Sequence, residues 1–128
     1  MSQMFRRMVF NVLTRNRDDH AKNHAFLIGA DGQWRLSPAY DLTYSSGPGG
    51  EHSADVAGEG RAPDTSHMLK VTKAASIRPR AAQTIIDEVR AIVTCWPEYA
   101  EEAGLPAPWA RELDRILNGH CFEKQSSN

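Results

Sequence analysis

Three oxygen-bearing side chains have a spacing that could hold a cation next to a proton acceptor. Asp18 and Asn23 are five positions apart in the polar segment RNRDDHAKNH, and Asp41 follows 23 positions after Asp18. Carboxylate and amide oxygens are the ligands that Mg²⁺ prefers, and a carboxylate can also accept the proton of an attacking hydroxyl. The three residues are therefore the first candidates for chemistry in this sequence.

The order of the elements around these residues is typical of a phosphoryl-transfer site. In enzymes of the protein-kinase type, a catalytic-loop aspartate orients the attacking hydroxyl and accepts its proton, and an asparagine five residues later holds Mg²⁺. A hairpin then leads to a second metal-binding aspartate. In this chain the catalytic loop would be 16–23, the hairpin 24–36 and the second aspartate Asp41. We therefore expect the polar segment to face a charged substrate.

An amphipathic helix and a hairpin must position this segment. Apolar residues at helical spacing precede it, and we expect their helix to end near Asn16. Two strands are predicted over 24–28 and 33–36, because the Asp-Gly pair between them favours a tight turn. The apolar run 25–28 is typical of a buried strand. The helix stripe consists of Phe5, Met8, Val9, Val12 and Leu13.

The rest of the chain divides into a Gly-rich loop and a helical region. Residues 45–64 are rich in Gly, Ser and Pro, which predicts a mobile or functional loop, although its glycines do not form a phosphate-binding motif. Residues 65–118 are predicted to be helical. The sequence therefore predicts a mainly α fold with a small β-hairpin over 1–122, and a disordered tail over 123–128. Helix starts are indicated at Asp64 or Thr65, Pro79, Pro97, and Pro106 with Pro108.

Composition excludes several classes of protein. The 128 residues are 41% hydrophobic and 24% charged, with a net charge of −1, so no overall field would attract nucleic acid. The chain contains no apolar stretch long enough for a transmembrane helix and no secretory signal at its start, which predicts a cytoplasmic protein with no membrane partner. Cys95 and Cys121 lack metal-binding spacing and are interpreted as reduced thiols.

Other interpretations of the polar residues stay open. Asp18 could bind backbone N–H groups in a turn, and Lys22 could simply be solvated. His20 and His24 have the spacing of two zinc ligands on a helix, but their segment is entering a strand. The pair His120-Cys121 is interpreted as incidental.

A basic stretch and two tryptophans also need an interpretation. The stretch is a solvated helix face or a surface that touches DNA. The tryptophans Trp96 and Trp109 are interpreted as core or lobe-packing residues. The basic residues are Lys70, Lys73, Arg78 and Arg80.

Two segments of the sequence resemble those of a known family. The sequences DDHAKN at 18–23 and LSPAYDL at 36–42 resemble the D-x-H-x-K-N and L-[ST]-P-x-Y-D signatures of HipA-type toxin kinases. The resemblance continues into IIDEVRAIVTCWPEYAEEAG and covers roughly residues 5–117. Together the two signatures are specific, whereas either one alone is weak.

The resemblance implies the C-terminal lobe of a serine/threonine protein kinase that uses ATP and Mg²⁺. Asp18 would be the catalytic proton acceptor, and Asn23 and Asp41 would bind the metal. In this family the position of Asp19 is often glycine, but the register of the motif still assigns the catalytic role to Asp18. The nucleotide would be contacted by His20, Ala21, Lys22, Asn23, Tyr40 and Asp41.

The resemblance also implies partners. Family members phosphorylate an aminoacyl-tRNA synthetase, glutamyl-tRNA synthetase being the family's substrate, which halts translation and favours dormancy. They are inhibited by a HipB-type antitoxin, a helix-turn-helix protein through which the toxin–antitoxin pair reaches its operator DNA.

The length of the chain modifies this expectation. The resemblance covers the C-terminal lobe only, so we expect an excised domain or a truncated reading frame, with weak or absent catalysis by this chain alone, because kinases clamp ATP between two lobes. The alternative is a non-catalytic orphan lobe that serves as an antitoxin- or DNA-adjacent interaction module. Either identity predicts an exposed apolar surface where another lobe would pack.

Overall fold

The computed structural model describes residues 2–119, which form five α-helices and one two-stranded antiparallel sheet. The mainly helical fold with a small hairpin is therefore confirmed. The tail predicted over 123–128 and the pair His120-Cys121 lie outside the described residues. In chain order the elements are α1 (Ser2–Leu13), β1 (Phe26–Ile28), β2 (Trp34–Leu36), α2 (Thr65–Ala74), α3 (Pro79–Thr94), α4 (Trp96–Glu102) and α5 (Ala107–Asn118).

The core forms where α1 and α2 pack on α3. Most of the apolar stripe of α1 is buried there, as the spacing of its residues predicts, with Met8 and Leu13 partly buried against the core, and Met68 of α2 is also enclosed. Burial of these side chains removes apolar surface from water, which is the main stabilising term. The buried residues of α3 are Ala82, Ile85, Ile86, Val89 and Val93.

Helix α1 ends at Leu13, three residues before the predicted end, because the chain makes a left-handed turn. Arg15 has φ 49°, and the Asn16 N–H donates to the Asn11 carbonyl at 2.9 Å. The Arg15 N–H donates to Val12 at 3.2 Å. These two bonds are the pattern of a Schellman motif, which satisfies the last carbonyls of a helix. The turn directs the chain into the polar segment.

The hairpin is shorter and far more exposed than predicted. Its strands pair Phe26 with Leu36 and Ile28 with Trp34. Phe26, Leu27, Ile28 and Trp34 are 55 to 68% exposed, so the prediction of a buried strand is wrong. A two-stranded sheet has a core side only if another element packs on it, and no such element covers this hairpin within residues 2–119.

The Gly-rich loop has two buried residues. Val56 is 2% exposed and joins the hydrophobic core, and His52 is also buried. The His52 N–H donates to the Gly60 carbonyl at 2.7 Å, which closes the loop on itself. The mobility of 45–64 stays a prediction, but the loop is attached to the core.

Helix starts follow the sequence signals. Asp64, one of two residues that could cap α2, accepts hydrogen bonds from the N–H groups of Ser66 and His67. Its hydrogen bonds to Ser66 and His67 hold the pKa of the Asp64 carboxyl well below its ordinary value. Pro79 begins α3. The cap and the proline are standard start signals.

The two tryptophans lie in different environments. Trp96 is half-buried, and its Nε1–H donates to the Ala110 carbonyl at 3.1 Å. Trp109 is 67% exposed, so of its two interpretations the core residue is wrong and the lobe-packing residue stays a prediction. The helices of residues 2–119 are too short or too polar to cross a membrane.

The inner face of α3 should control stability. Ile86 is fully enclosed, whereas Ile92 on the same helix is 53% exposed. We expect Ile86→Ala to lower the free energy of unfolding by about 2–5 kcal/mol, because it leaves a cavity in the core. Ile92→Ala should cost less than about 1 kcal/mol. Urea unfolding measures both values, and equal losses would contradict this assignment of the inner face.

Candidate active site

The polar segment begins at a buried amide. The Asn16 side chain donates from Nδ2 to the Asn11 Oδ1 at 3.1 Å and to the Asp41 carbonyl at 3.2 Å. Next to it, the Arg17 N–H donates to the Ser45 carbonyl, so the polar segment runs beside the chain that follows the hairpin. The two parts of the predicted site are therefore joined directly. Sequence reasoning did not identify Asn16 as part of the site.

Asn23 and Asp41 line the same small cleft. Asn23 ends a single 3-10 turn, Ala21–Asn23, and its Nδ2 donates to the Asp18 carbonyl at 3.0 Å. Because the amide nitrogen is engaged, Oδ1 is the remaining ligand atom of that side chain. Asp41 has φ 55°, a left-handed conformation that costs a non-glycine residue energy and often occurs at functional sites. The predicted metal ligands are thus brought to one place.

Polar atoms of this cleft fit a polar ligand. Three residues that line it each have a buried side-chain atom without a hydrogen-bond partner in the described part of the chain. Such atoms are costly unless water, an ion or a ligand satisfies them. The atoms are Arg7 Nη1, Asn16 Oδ1 and His24 Nδ1. Asn16 Oδ1, Asn23 Oδ1 and the Asp41 carboxylate are oxygen ligands of the kind that suits Mg²⁺, whereas Arg7 Nη1 is a cationic N–H donor that suits an anion.

Asp18 lies beside the cleft without lining it. Its side chain is half-exposed, and His20 Nε2 is 3.7 Å from its Oδ1. The predicted nucleotide contacts also lie here, because the Tyr40 hydroxyl donates to the Lys22 carbonyl at 2.8 Å and Ala21 opens the same turn. Since Asn23 binds the Asp18 carbonyl, the predicted proton acceptor is connected to the predicted metal ligands through the backbone.

A zinc site receives no support from the described residues. Across residues 2–119, no three side chains of the His, Cys, Asp and Glu types are grouped as metal ligands. His20 and His24 flank the 3-10 turn instead of lying on one helix face.

Asp19 and His52 form a buried pair beneath the polar segment. The His52 Nδ1 is 2.9 Å from the Asp19 Oδ2, and their side chains are 2% and 7% exposed. The other carboxylate oxygen accepts the Ala54 N–H at 3.1 Å. Neither residue was predicted as a site residue, because 33 positions separate them and a lone histidine in a Gly-rich loop carries no signal of its partner.

The environment of Asp19 favours its charged form. Burial pushes the pKa of the carboxyl upward, but the hydrogen bonds from His52 and from the Ala54 N–H outweigh burial, so the pKa is lowered from its ordinary value. Hydrogen bonds to a carboxylate stabilise the charge. Asp19 is thus a charged anchor next to the exposed Asp18.

The lowered pKa of Asp19 makes a prediction about stability and pH. The stabilisation is complete above the unfolded-state pKa of about 3.9 and is lost as the pH falls through the lower folded-state pKa. We expect Asp19→Asn to cost about 1–3 kcal/mol at pH 7, and the difference from wild type to narrow below about pH 4. Urea unfolding from pH 7 to pH 3 measures it.

The matched control is Asp18→Asn, which changes the exposed neighbour and should cost less at pH 7. A difference between wild type and Asp19→Asn that stayed constant across the pH range would refute the assignment of a charged anchor.

Comparison with known proteins identifies a family. A family model described as HipA-like C-terminal domain matches residues 1–96, which contain the whole cleft together with α1 to α3. Searches of curated proteins and of solved structures found no match. The match covers 96 of the 128 residues and leaves nearly all of α4 and all of α5 beyond it. The chain therefore belongs to the HipA-like C-terminal domain family.

Proposed function

We propose that this chain is the kinase-like catalytic lobe of a HipA-like toxin, a serine/threonine protein kinase that transfers the γ-phosphate of ATP to a protein hydroxyl. The observation that carries the proposal is the shared cleft of Asn23 and Asp41, with Asp18 held beside it by the Asn23 amide. Family membership supports the same reading. The arrangement provides the parts that phosphoryl transfer requires, namely positioned charges and a proton acceptor.

The metal ligands would be Asn23 and Asp41. Bound Mg²⁺ would neutralise charge on the phosphate oxygens. The chain's own contribution is to hold the Asn23 side chain and the backbone of Asp41 in place. Asn23 is held through its Nδ2 bond to Asp18, and the backbone of Asp41 is held through its carbonyl bond to Asn16. Fixed ligands bind a metal with less loss of side-chain entropy than free ones.

Asp18 would accept the proton of the attacking hydroxyl. Its side chain is half-exposed and can reach a hydroxyl from solvent, while its backbone is fixed on both sides. His20, Ala21, Lys22 and Tyr40 would contact the nucleotide. The Tyr40 bond to Lys22 keeps the 3-10 turn against the segment that carries Asp41.

The partners that the resemblance implies are proposed here as well. A second lobe would complete the nucleotide clamp, and the exposed apolar residues of the hairpin support such a contact. We propose a HipB-type antitoxin as inhibitor, an aminoacyl-tRNA synthetase as substrate, and operator DNA as an indirect partner. All four residues of the basic stretch, Lys70, Lys73, Arg78 and Arg80, are exposed, which suits contact with DNA.

Binding of Mg·ATP tests the metal site. Asp41→Asn keeps the size of the side chain and removes its charge, so we expect the affinity for Mg·ATP to fall at least about tenfold, or about 1.4 kcal/mol. Calorimetric titration measures it. Asp87→Asn is the control, because Asp87 is exposed on α3, and its affinity should stay within about twofold of wild type. Equal affinities in all three proteins would argue against the site.

Asp18→Ala tests the proton acceptor separately. We expect the variant to retain Mg·ATP affinity, since Asp18 does not line the cleft, while γ-phosphate transfer falls by about 10²–10⁴-fold. Transfer is followed with γ-radiolabelled ATP, with an N-terminal lobe of the family supplied as a second chain. An unchanged rate of transfer would exclude Asp18 as the acceptor.

A further inference from the structure

The Gly-rich loop holds the polar segment on both sides of Asp18. The Arg17 carbonyl accepts the Ser53 N–H at 2.9 Å and the Ser53 hydroxyl at 3.1 Å. On the other side, the Asp19 carboxylate accepts the Ala54 N–H at 3.1 Å. Two residues of the polar segment, Arg17 and Asp19, are therefore bonded to a short part of the loop, and the residue between them is the proposed proton acceptor.

His52 provides the buried end of this contact. Its Nδ1 is 2.9 Å from the Asp19 Oδ2, and its own N–H donates to the Gly60 carbonyl. Both oxygens of Asp19 are thus engaged within the protein, so Asp19 acts as an anchor and leaves Asp18 as the exposed carboxylate. A buried carboxylate that loses a donor either rearranges or takes up a proton.

A chain of contacts leads from His52 to the metal ligands. His52 holds Asp19, and the carbonyl of the preceding residue, Asp18, accepts the Asn23 Nδ2 at 3.0 Å. That bond decides which end of the Asn23 amide faces away from Asp18, and so places its Oδ1. Removal of a group that is hydrogen-bonded to a metal ligand commonly lowers the affinity for the metal.

We infer that His52 is a positioning residue for the Asp18–Asn23 segment. His52 does not itself line the cleft, and it acts through Asp19, which does line the cleft beside Asn23 and Asp41. This inference rests on the proposed function for its effect on Mg·ATP, whereas its effect on the order of the segment can be measured without any nucleotide.

The test compares four proteins of 128 residues, the wild type and three variants. His52→Ala removes the donor, and His52→Asn retains an amide N–H near the position of Nδ1. Val89→Ala is the matched control, because it removes buried volume from α3 without touching the pair. We expect His52→Ala to weaken Mg·ATP binding by about tenfold in calorimetry. His52→Asn and Val89→Ala should stay within about twofold of wild type.

Amide hydrogen exchange gives a readout that does not depend on nucleotide. In His52→Ala we expect faster exchange that is confined to residues 17–23 and 53–54. In His52→Asn and in Val89→Ala we expect these residues to exchange at the wild-type rate. If His52→Ala does not fold, His52→Gln replaces it, since its longer side chain moves the amide away from Asp19. If exchange over residues 17–23 is as fast in His52→Asn as in His52→Ala, the inference is overturned.

The two proposals fail in different ways. If wild type does not bind Mg·ATP even with an N-terminal lobe of the family supplied as a second chain, the proposed function fails, and the exchange pattern still decides the role of His52. If wild type binds Mg·ATP and His52→Ala binds it equally well with unchanged exchange over 17–23, the positioning role is excluded and the proposed function stands.

Discussion

One buried amide determines how the two halves of the site meet. The Asn16 Nδ2 binds both the end of α1, through Asn11, and the Asp41 carbonyl. Because the Asn16 side chain is enclosed, its N–H groups cannot bind water instead. Breaking the bond to Asn11 or the bond to Asp41 would therefore leave a buried polar group unpaired. The position of Asp41 relative to the polar segment is therefore set by a polar contact at the end of the first helix. The hairpin needs only to connect the polar segment to the segment that carries Asp41.

Two adjacent carboxylates have opposite environments. Asp19 is enclosed and accepts hydrogen bonds from His52 and Ala54, which lower its pKa, while Asp18 is half-exposed. Residue types alone make the two aspartates equivalent. Their difference arises from the loop that packs beneath one of them and leaves the other at the surface. Division of labour between neighbouring carboxyl groups by environment is a general device of active sites.

The sequence predicts this fold where the determining interactions are local. Helix α3 follows from its stripe and from Pro79, and the start of α2 follows from the capping side chain of Asp64. The hairpin follows from its Asp-Gly turn. The exposure of its strands does not, because an apolar run indicates burial only if another element is available to cover it. The left-handed end of α1 at Arg15 was missed for a similar reason, since no glycine marks it.

The same distinction applies to the site. The spacing of Asn23 and Asp41 around a hairpin was sufficient to predict that they meet, because a short hairpin returns the chain to its starting point. His52 lies 33 positions from Asp19, inside a loop whose composition resembles that of unstructured chain. Its pairing depends on Val56 entering the core a few residues later, which fixes the loop at a depth where a histidine can reach the carboxylate.

The site and the core therefore depend on different forces. Apolar contacts of α1 and α2 with α3 account for the stability of the domain, whereas the site is held by hydrogen bonds of a few buried polar groups. A single hydrogen bond contributes about 1 kcal/mol net to stability, yet it fixes a direction that apolar packing leaves open. Substitutions at these polar groups can consequently move the Asn23 and Asp41 side chains of the cleft while the domain stays folded. Core substitutions on α3 instead lower the stability of the domain and leave the hydrogen bonds of the cleft in place.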